Sequence, residues 1–304
     1  MAHRRSVVVN GDLGSGKSTV STRLAQRLGV RRVSVGDIYR AIAADRGMTA
    51  LQLNLHAELD DEIDRYVDQL QAEIAASGEQ LVVDSRLAWH FFTDALKVHL
   101  VTDPTTAARR VLTRPANDVE RYASVEEART RLAIRSESER VRFIARYGAD
   151  KSRLRNYDLV VDTTRAPPDQ VVEQTITHLQ EPRPGSERPW CEIDPTRIYP
   201  TAPHRDHDGP AAVALGCVAP HFFVVAGHER VSSAIRAGES LIAAALIAEA
   251  DEPIGDESCA QFFATRVTPD LIRSWEAAHG TTLGPVTTMG GTAVAAPPIV
   301  RVPD

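Results

Sequence analysis

The sequence predicts an α/β protein, with a parallel sheet covered by helices on both faces and a smaller α+β domain after it. From Val7 to about Gln180, short apolar runs alternate with stretches in which apolar residues recur at helical spacing. The runs are VVV, LVVD, KVHLV and DLVVD. One of them leads directly into a glycine-rich turn and an amphipathic helix, which is typical of a phosphate-binding strand–loop–helix unit.

The middle of the chain predicts a domain boundary. The stretch EPRPGSERP at 181–189 combines three prolines, a glycine and charged residues, which is typical of an exposed linker. We therefore expect one domain over residues 1–181, a linker at 182–190 and a second domain over 191–304. In the second domain, RIYP, HFFVV and LIAAALI predict strands, and TPDLIRSWEAAHG predicts a helix. The tail from Thr281 is expected to be loosely ordered.

Composition predicts a soluble, cytoplasmic globular protein. Of the 304 residues, 43% are hydrophobic and 25% charged, and no apolar run approaches the ~20 residues that span a bilayer. The basic N-terminus is followed by only three valines, too few for a signal peptide. Three scattered cysteines predict free thiols rather than a disulfide framework or a zinc site.

The distribution of charge argues against a nucleic-acid-binding role. The net charge is -6, and residues 183–304 carry 9 Lys and Arg against 15 Asp and Glu. Because nucleic-acid affinity comes largely from basic groups, no nucleic-acid partner is expected. The basic residues are almost all arginine, since only Lys17, Lys97 and Lys151 are lysine.

Residues 11–18, GDLGSGKS, have the complete spacing of a P-loop. In such a loop, backbone N–H groups surround the phosphates of ATP, Lys17 contacts the outer phosphates during catalysis, and the Ser18 hydroxyl ligates Mg²⁺. A glycine-rich turn without a ligand is the alternative, and the flanking strand and helix argue against it. The predicted ATP-binding residues are Gly11, Gly14, Ser15, Gly16, Lys17, Ser18 and Thr19.

Three later stretches indicate where the transferred phosphate goes. SVGDIYR at 34–40 and LVVDSRL at 81–87 each place an aspartate and an arginine near a strand end, where open α/β folds bind ligands. The stretch at 129–148 predicts an arginine-rich helix whose charged residues share one face. Taken singly, each stretch could equally be a helix cap, a surface ion pair or a solvated helix face. The candidate residues are Asp37, Arg40, Asp84, Arg86, Arg131, Arg135, Glu139 and Arg142.

The ordered series G-x-x-x-x-G-K-S, S-x-G-D-I-x-R, DRGM, V-D-x-R-L, R-x-x-S-E-x-x-R and YDLVVDTT resembles the cytidylate kinases, particularly the short archaeal type, over about residues 5–180. The resemblance implies a P-loop nucleoside monophosphate kinase that phosphorylates CMP, dCMP or a modified pyrimidine monophosphate with ATP and Mg²⁺. It implies that Arg40 and Arg86 hold the acceptor's phosphate, that Arg135 and Arg142 neutralise the transferred phosphoryl group, and that Glu139 lies near the ribose.

Two alternatives to this function stay open at the level of sequence. One is a kinase of a non-nucleotide small molecule, and the other is a nucleotide-responsive regulator that uses the P-loop as a switch. Ser85 also departs from the family, which usually has glycine at this position, so the base and sugar of the acceptor are not determined. The sequence leaves a homo-oligomer open and indicates no membrane partner.

The second domain resembles the ParB/sulfiredoxin-like domains over about residues 190–250. The resemblance lies in CEIDPTRIYP and in FFVVAGHERVSSAIRAG, a strand followed by a G-x-x-R turn and a helix. It implies that Gly227, His228 and Arg230 contact phosphate. A DNA-partitioning role is not expected, because no helix-turn-helix or basic face follows, and enzyme, sensor and structural roles stay open. The stretch PHRDHDG at 203–209 is interpreted as a polar loop rather than a metal site.

Overall fold

The computed structural model describes residues 5–48, 62–113, 122–180, 188–203, 212–284 and 286. The strands are β1 (Val7–Gly11), β2 (Arg31–Ser34), β3 (Leu81–Asp84), β4 (Leu96–Val101), β5 (Leu159–Asp162), β6 (Trp190–Ile193), β7 (Ile198–Tyr199), β8 (Val213–Val218), β9 (His221–Ala226), β10 (Ile242–Glu249), β11 (Pro253–Ile254) and β12 (Glu257–Ser258). The helices are α1 (Lys17–Leu28), α2 (Val35–Asp45), α3 (Glu62–Ala76), α4 (Ala88–Phe91), α5 (Pro104–Leu112), α6 (Val125–Tyr147), α7 (Pro168–Gln180), α8 (His228–Arg236), α9 (Cys259–Arg266) and α10 (Pro269–His279).

The first five strands form the predicted parallel sheet. Their order is β2-β3-β1-β4-β5, and every neighbouring pair is parallel. The residues of β1, β3 and β5 are almost all buried, as expected for strands covered by helices on both faces. Because the carboxyl ends of parallel strands meet at one edge, the loops after β1, β3 and β5 converge there, which positions the P-loop beside Asp84 and Asp162.

The sheet does not end at β5 but continues into the C-terminal part of the chain. β5 pairs in parallel with β6, and β6 pairs antiparallel with β10, so that ten strands of the described residues form one sheet. Val160 lies opposite Cys191 in this register. Trp190, which the sequence assigned to the end of the linker, is therefore the first residue of a strand, and residues 181–187 lie outside the described part.

One hydrophobic core spans this junction. Val101, Leu154 and Val160 from the first part pack in the same buried cluster as Ile193 and Leu246 from the second. Burial of such side chains contributes roughly 1.5–3 kcal/mol each. The two parts therefore share both a sheet and a core, and the division into domains at 182–190 stays a prediction.

The secondary structure predicted for the C-terminal part is confirmed. RIYP contains β7, and HFFVV and LIAAALI overlap β9 and β10 over most of their length. The Thr268 side chain accepts from the Leu271 N–H at the start of α10, Pro269 takes the first helical position, and Gly280 ends the helix in the left-handed conformation. Three further parts of the chain lie outside the described residues: LQLNL at 51–55, residues 204–209 of PHRDHDG, and the tail after 286. The three cysteines are buried free thiols, as predicted.

No helix in the described ranges has the length and apolar character needed to cross a membrane.

The shared sheet and core predict that the two parts unfold together. Differential scanning calorimetry should show one cooperative transition, whose midpoint rises when ATP is added because ligand binding stabilises the whole folded unit. Leu246→Ala, on β10, truncates a side chain that is 2% exposed and should lower the free energy of unfolding by about 2–5 kcal/mol. The midpoint of this same transition should fall accordingly. Two transitions, of which ATP moves only one, would show that the parts fold independently.

Candidate active site

The P-loop runs from the end of β1 to the first turn of α1, and close packing requires glycine at positions 11 and 14. Gly14 has φ +83°, and a Cβ atom there would lie 2.9 Å from Ala107 on α5. At Gly11, a Cβ atom would lie 2.4 Å from the Leu100 carbonyl oxygen. Gly16, also left-handed, caps α1, whose next residues carry the exposed side chains of Ser18 and Thr19. The N-terminus of α1 is thus presented to the sheet edge, where it favours an anion.

The Lys17 ammonium binds backbone carbonyls of its own loop and is affected by the charge of Arg86. Its Nζ donates to the carbonyls of Gly11 at 2.7 Å and Asp12 at 3.0 Å. Withdrawal from water and the positive charge of Arg86 lower the pKa of Lys17 to about 8, although neighbouring carboxylates act in the opposite direction. Lys17 and Arg86, which follow the adjacent parallel strands β1 and β3, thus lie at the same edge of the sheet.

Residues of β4 and of the loop after β5 contact the P-loop. Ser15 donates through Oγ to the Asp12 carbonyl at 2.8 Å, and Thr163, which follows β5, donates through Oγ1 to the Ser15 carbonyl at 2.9 Å. The buried His99 of β4 places Nε2 3.6 Å from Asp12 Oδ1. Sequence reasoning did not find His99 or Thr163, because only the folded sheet brings them under the loop.

Glu139 is the centre of a cluster of cations. This carboxylate, of which 9% is exposed, pairs with Arg86, with Arg135 Nε at 3.2 Å and with Lys151 Nζ at 2.8 Å. Burial alone would raise the pKa of Glu139, but the charges of Arg86, Lys151 and Arg135 outweigh it and lower the value to about 2. Among the described residues, three cations therefore surround this one carboxylate, an arrangement suited to phosphate.

Lys151 is a member of this cluster that the sequence reasoning missed. Its ammonium is buried, with 12% of the side chain exposed, and desolvation lowers its pKa although Glu139 acts in the opposite direction. A usable signal was present, because Lys151 is one of only three lysines in an arginine-rich chain. The same rarity had singled out Lys17.

A second cluster joins the ends of β2 and β3. The buried Asp84 accepts from Arg32 Nη2 at 2.6 Å and from Ser21 Oγ at 3.3 Å. Arg32 also reaches Asp37 at 3.2 Å, and Arg40 pairs with Asp37 in the first turns of α2. The structure thus connects the predicted residues Asp37, Arg40 and Asp84 through Arg32, a residue that was not predicted.

Ser85, which replaces the family's usual glycine, anchors the loop that carries Arg86. Its side chain is buried, donates to Gln71 Oε1 of α3 at 3.1 Å, and accepts from the backbone N–H groups of Leu87 and Ala88 at 3.3 and 3.2 Å. The hydroxyl therefore orders the turn into α4 and ties it to α3.

The predicted helix at 129–148 is confirmed, since α6 spans Val125–Tyr147 and Gly148 caps it. Only part of its charged face belongs to the cluster. Arg131 is 63% exposed and pairs with Glu127 at 2.8 Å, and the Arg142 guanidinium lies over the ring of Phe143 at 5.6 Å. The structure therefore brings together Arg135 and Glu139, with Arg131 and Arg142 elsewhere on the helix.

The candidates in the C-terminal part lie at the start of α8. Gly227 caps the helix with φ +88°, and His228 Nε2 lies 3.1 Å from Thr201 Oγ1. Arg230 forms a two-pronged ion pair with Glu239 at 2.9 and 2.7 Å. The guanidinium that was predicted to contact phosphate is thus engaged by a carboxylate.

Within the described ranges, no group of three or more His, Cys, Asp or Glu side chains is arranged to hold a metal ion. The stretch PHRDHDG lies almost entirely outside those ranges. At the P-loop, the oxygen donors suited to Mg²⁺ are the Ser18 hydroxyl and the Asp84 carboxylate, which ends the strand beside β1.

Comparison with known proteins agrees with this arrangement. Residues 7–134 match the sequence profile of an AAA domain. The cytidylate kinases of Methanobrevibacter smithii, Haloarcula marismortui and Natronomonas pharaonis are 34%, 37% and 40% identical to this chain. The matches cover 98%, 97% and 84% of those proteins but only 57%, 63% and 54% of this chain. Most of the length of each relative thus aligns with somewhat more than half of this chain. The chain belongs to the cytidylate kinase family.

Proposed function

We propose that this protein transfers the γ-phosphoryl group of ATP to CMP, dCMP or a modified CMP and releases the nucleoside diphosphate and ADP. The observation that carries the proposal is that the P-loop and the loop carrying Arg86 follow the adjacent parallel strands β1 and β3, and that Ser21 of α1 donates to Asp84 at the end of β3 at 3.3 Å. The relatives named above are cytidylate kinases, which supports a pyrimidine monophosphate as the acceptor.

The donor side of the site is the P-loop. Backbone N–H groups from Gly14 to Thr19 surround the phosphates of ATP, and the Lys17 ammonium turns from its carbonyl partners toward the β- and γ-phosphates. Bound Mg²⁺ would be held by Ser18 and Asp84 and would neutralise charge on the phosphates. The pKa of Lys17 rises again when ATP binds, because a phosphate favours the charged ammonium.

The acceptor side is formed by the arginines at the ends of β2 and β3. Arg40 and Arg86 bind the acceptor's phosphate, and Asp37 and Asp84 fix the positions of the surrounding cations. When Arg86 turns to the phosphate, Glu139 keeps Arg135 and Lys151 as partners. The buried carboxylate therefore stays compensated, and it is available to the ribose.

The reaction needs no covalent intermediate with the protein. An oxygen of the acceptor's phosphate attacks the γ-phosphorus in line while the bond to the β–γ bridging oxygen breaks. Arg135 and Arg142 on α6 neutralise the transferred group once this helix closes over the site, and closure excludes water. The relatives do not favour the two alternatives, a non-nucleotide kinase or a P-loop regulator.

Arg86→Ala should damage acceptor use and spare ATP. Loss of a charge-assisted hydrogen bond to the phosphate should raise the KM for the acceptor by about 10- to 100-fold and lower kcat, with the Kd for ATP within about twofold of wild type. Steady-state kinetics and calorimetric ATP binding measure these constants.

Arg129→Ala is the matched control, because Arg129 is exposed on α6 and, among the described residues, pairs with Glu126 three residues away. Its kinetic constants should be unchanged. A folded Arg86→Ala protein with wild-type turnover would reject the assignment of Arg86 to the acceptor's phosphate.

ATP affinity should fall as the pH rises through the pKa of Lys17. Below about pH 7 the ammonium is charged, whereas above about pH 8 the free protein has lost this proton and must regain it to bind. The affinity should therefore decrease up to about tenfold per pH unit above pH 8, with proton uptake on binding. Calorimetry from pH 6.5 to 9.5, in buffers of different ionisation enthalpy, tests this.

Lys17→Arg is the control for the pH series, since arginine stays charged throughout and its weaker binding should be independent of pH. A flat wild-type profile without proton uptake would contradict the lowered pKa of Lys17.

A further inference from the structure

The C-terminal part of the chain contributes a buried arginine to the junction with β5 and the loop that follows it. Arg197 precedes β7, and 14% of its side chain is exposed. Its Nη1 lies 2.5 Å from Oδ2 of the fully buried Asp162, the last residue of β5, and 3.2 Å from Thr164 Oγ1. One guanidinium thus contacts both a carboxylate and a hydroxyl of the loop that follows β5.

This loop is in direct contact with the P-loop. Asp162 accepts from the Thr164 N–H at 2.9 Å, which fixes the turn between them. Thr163, within this turn and 3% exposed, donates through Oγ1 to the Ser15 carbonyl at 2.9 Å. The position of Arg197 is therefore connected to the P-loop backbone through two successive hydrogen-bonded contacts.

A second route leads from Arg197 to the other side of the P-loop. Thr164 Oγ1, which Arg197 contacts, accepts from the Asp103 N–H at 2.9 Å. The Asp103 side chain caps α5 by accepting from the Thr106 N–H at 2.8 Å. In the same helix, Ala107 packs so closely on Gly14 that no Cβ atom fits between them. Both routes end on residues of the P-loop.

We propose that Arg197 is a positioning residue for ATP, through which the C-terminal part of the chain sets the conformation of the P-loop. The inference rests on the proposed function only in that the P-loop binds ATP. It assigns to the C-terminal part a role in ATP binding at the P-loop, and this role does not depend on the C-terminal part binding a ligand of its own.

Arg165 offers a matched comparison at the same junction. It lies in the same loop as Thr163 and Thr164 and forms a two-pronged ion pair with the fully buried Asp194 at 2.8 and 2.9 Å. Its remaining hydrogen bond goes to the Glu239 carbonyl. These partners all belong to the C-terminal part, so that the Arg165 side chain stabilises the junction without contacting Asp162 or the Thr164 hydroxyl, the groups that Arg197 holds.

The experiment compares Arg197→Lys with Arg165→Lys in the full-length protein. Lysine keeps the charge beside the buried aspartate, but it lacks the planar guanidinium whose Nη1 contacts Asp162 and Thr164 while Nη2 reaches the Pro220 carbonyl at 3.5 Å. Calorimetric titration with ATP alone should show that Arg197→Lys weakens binding by about 3- to 30-fold, whereas Arg165→Lys changes it by less than about twofold. Thermal unfolding of both variants reports the loss of junction stability.

Thr163→Val provides a second variant that removes no charge. It deletes the hydroxyl that contacts Ser15 and should weaken ATP binding by a similar factor, with the acceptor's KM unchanged. If Arg197→Lys does not fold, Thr163→Val still tests the contact with Ser15 on which the proposal depends, and wild-type ATP affinity in this variant overturns it. Folded Arg197→Lys and Thr163→Val proteins with wild-type ATP affinity would overturn the proposal, as would an equal loss of affinity in Arg165→Lys.

The proposed function and this inference can fail separately. Wild-type protein that binds ATP but phosphorylates no monophosphate would reject the function, whereas the ATP titrations of the variants would still test Arg197. Normal turnover together with unaltered ATP binding in the variants would reject the positioning role alone.

Discussion

The structure depends on balancing many positive charges at one edge of a sheet. Lys17, Arg86, Arg135 and Lys151 meet where phosphates are expected to bind, and like charges this close repel one another in a partly dehydrated site. Glu139 reduces this repulsion before any substrate arrives. Its strongly lowered pKa shows that the surrounding cations outweigh the unfavourable effect of its burial. A phosphate can then take over cations that are already positioned.

The same balance extends across the junction between the two parts of the chain. Asp162 and Asp194 are fully buried, and each pairs with an arginine from the other part, Arg197 and Arg165 respectively. Removing one member of such a pair leaves an uncompensated buried charge, which is strongly destabilising. Together with the parallel pairing of β5 and β6, these ion pairs make the C-terminal part an extension of the kinase sheet.

Much of the site follows from local sequence. The P-loop, the aspartate at the end of β3 and the helix carrying Arg135 and Glu139 each have a pattern readable within about twenty residues. Arg32 and Arg197 could not be found in this way, because the buried aspartates that they pair with are 52 and 35 residues away. Lys151 is 12 residues from Glu139 but follows the end of α6, so helical spacing does not relate the two residues. The strand at Trp190 was missed because its pairing with β5, and not its proline-rich flank, decides its conformation.

The central claim is most directly tested by following ADP formation from ATP and Mg²⁺ by the wild-type protein with single acceptors. The panel contains CMP, dCMP, UMP, dTMP, AMP, GMP, 5-substituted pyrimidine monophosphates and free serine. The account predicts that CMP, dCMP or a modified CMP strongly stimulates turnover and that the corresponding diphosphate accumulates in equal amount with ADP. ADP formation that no monophosphate stimulates would contradict the kinase assignment.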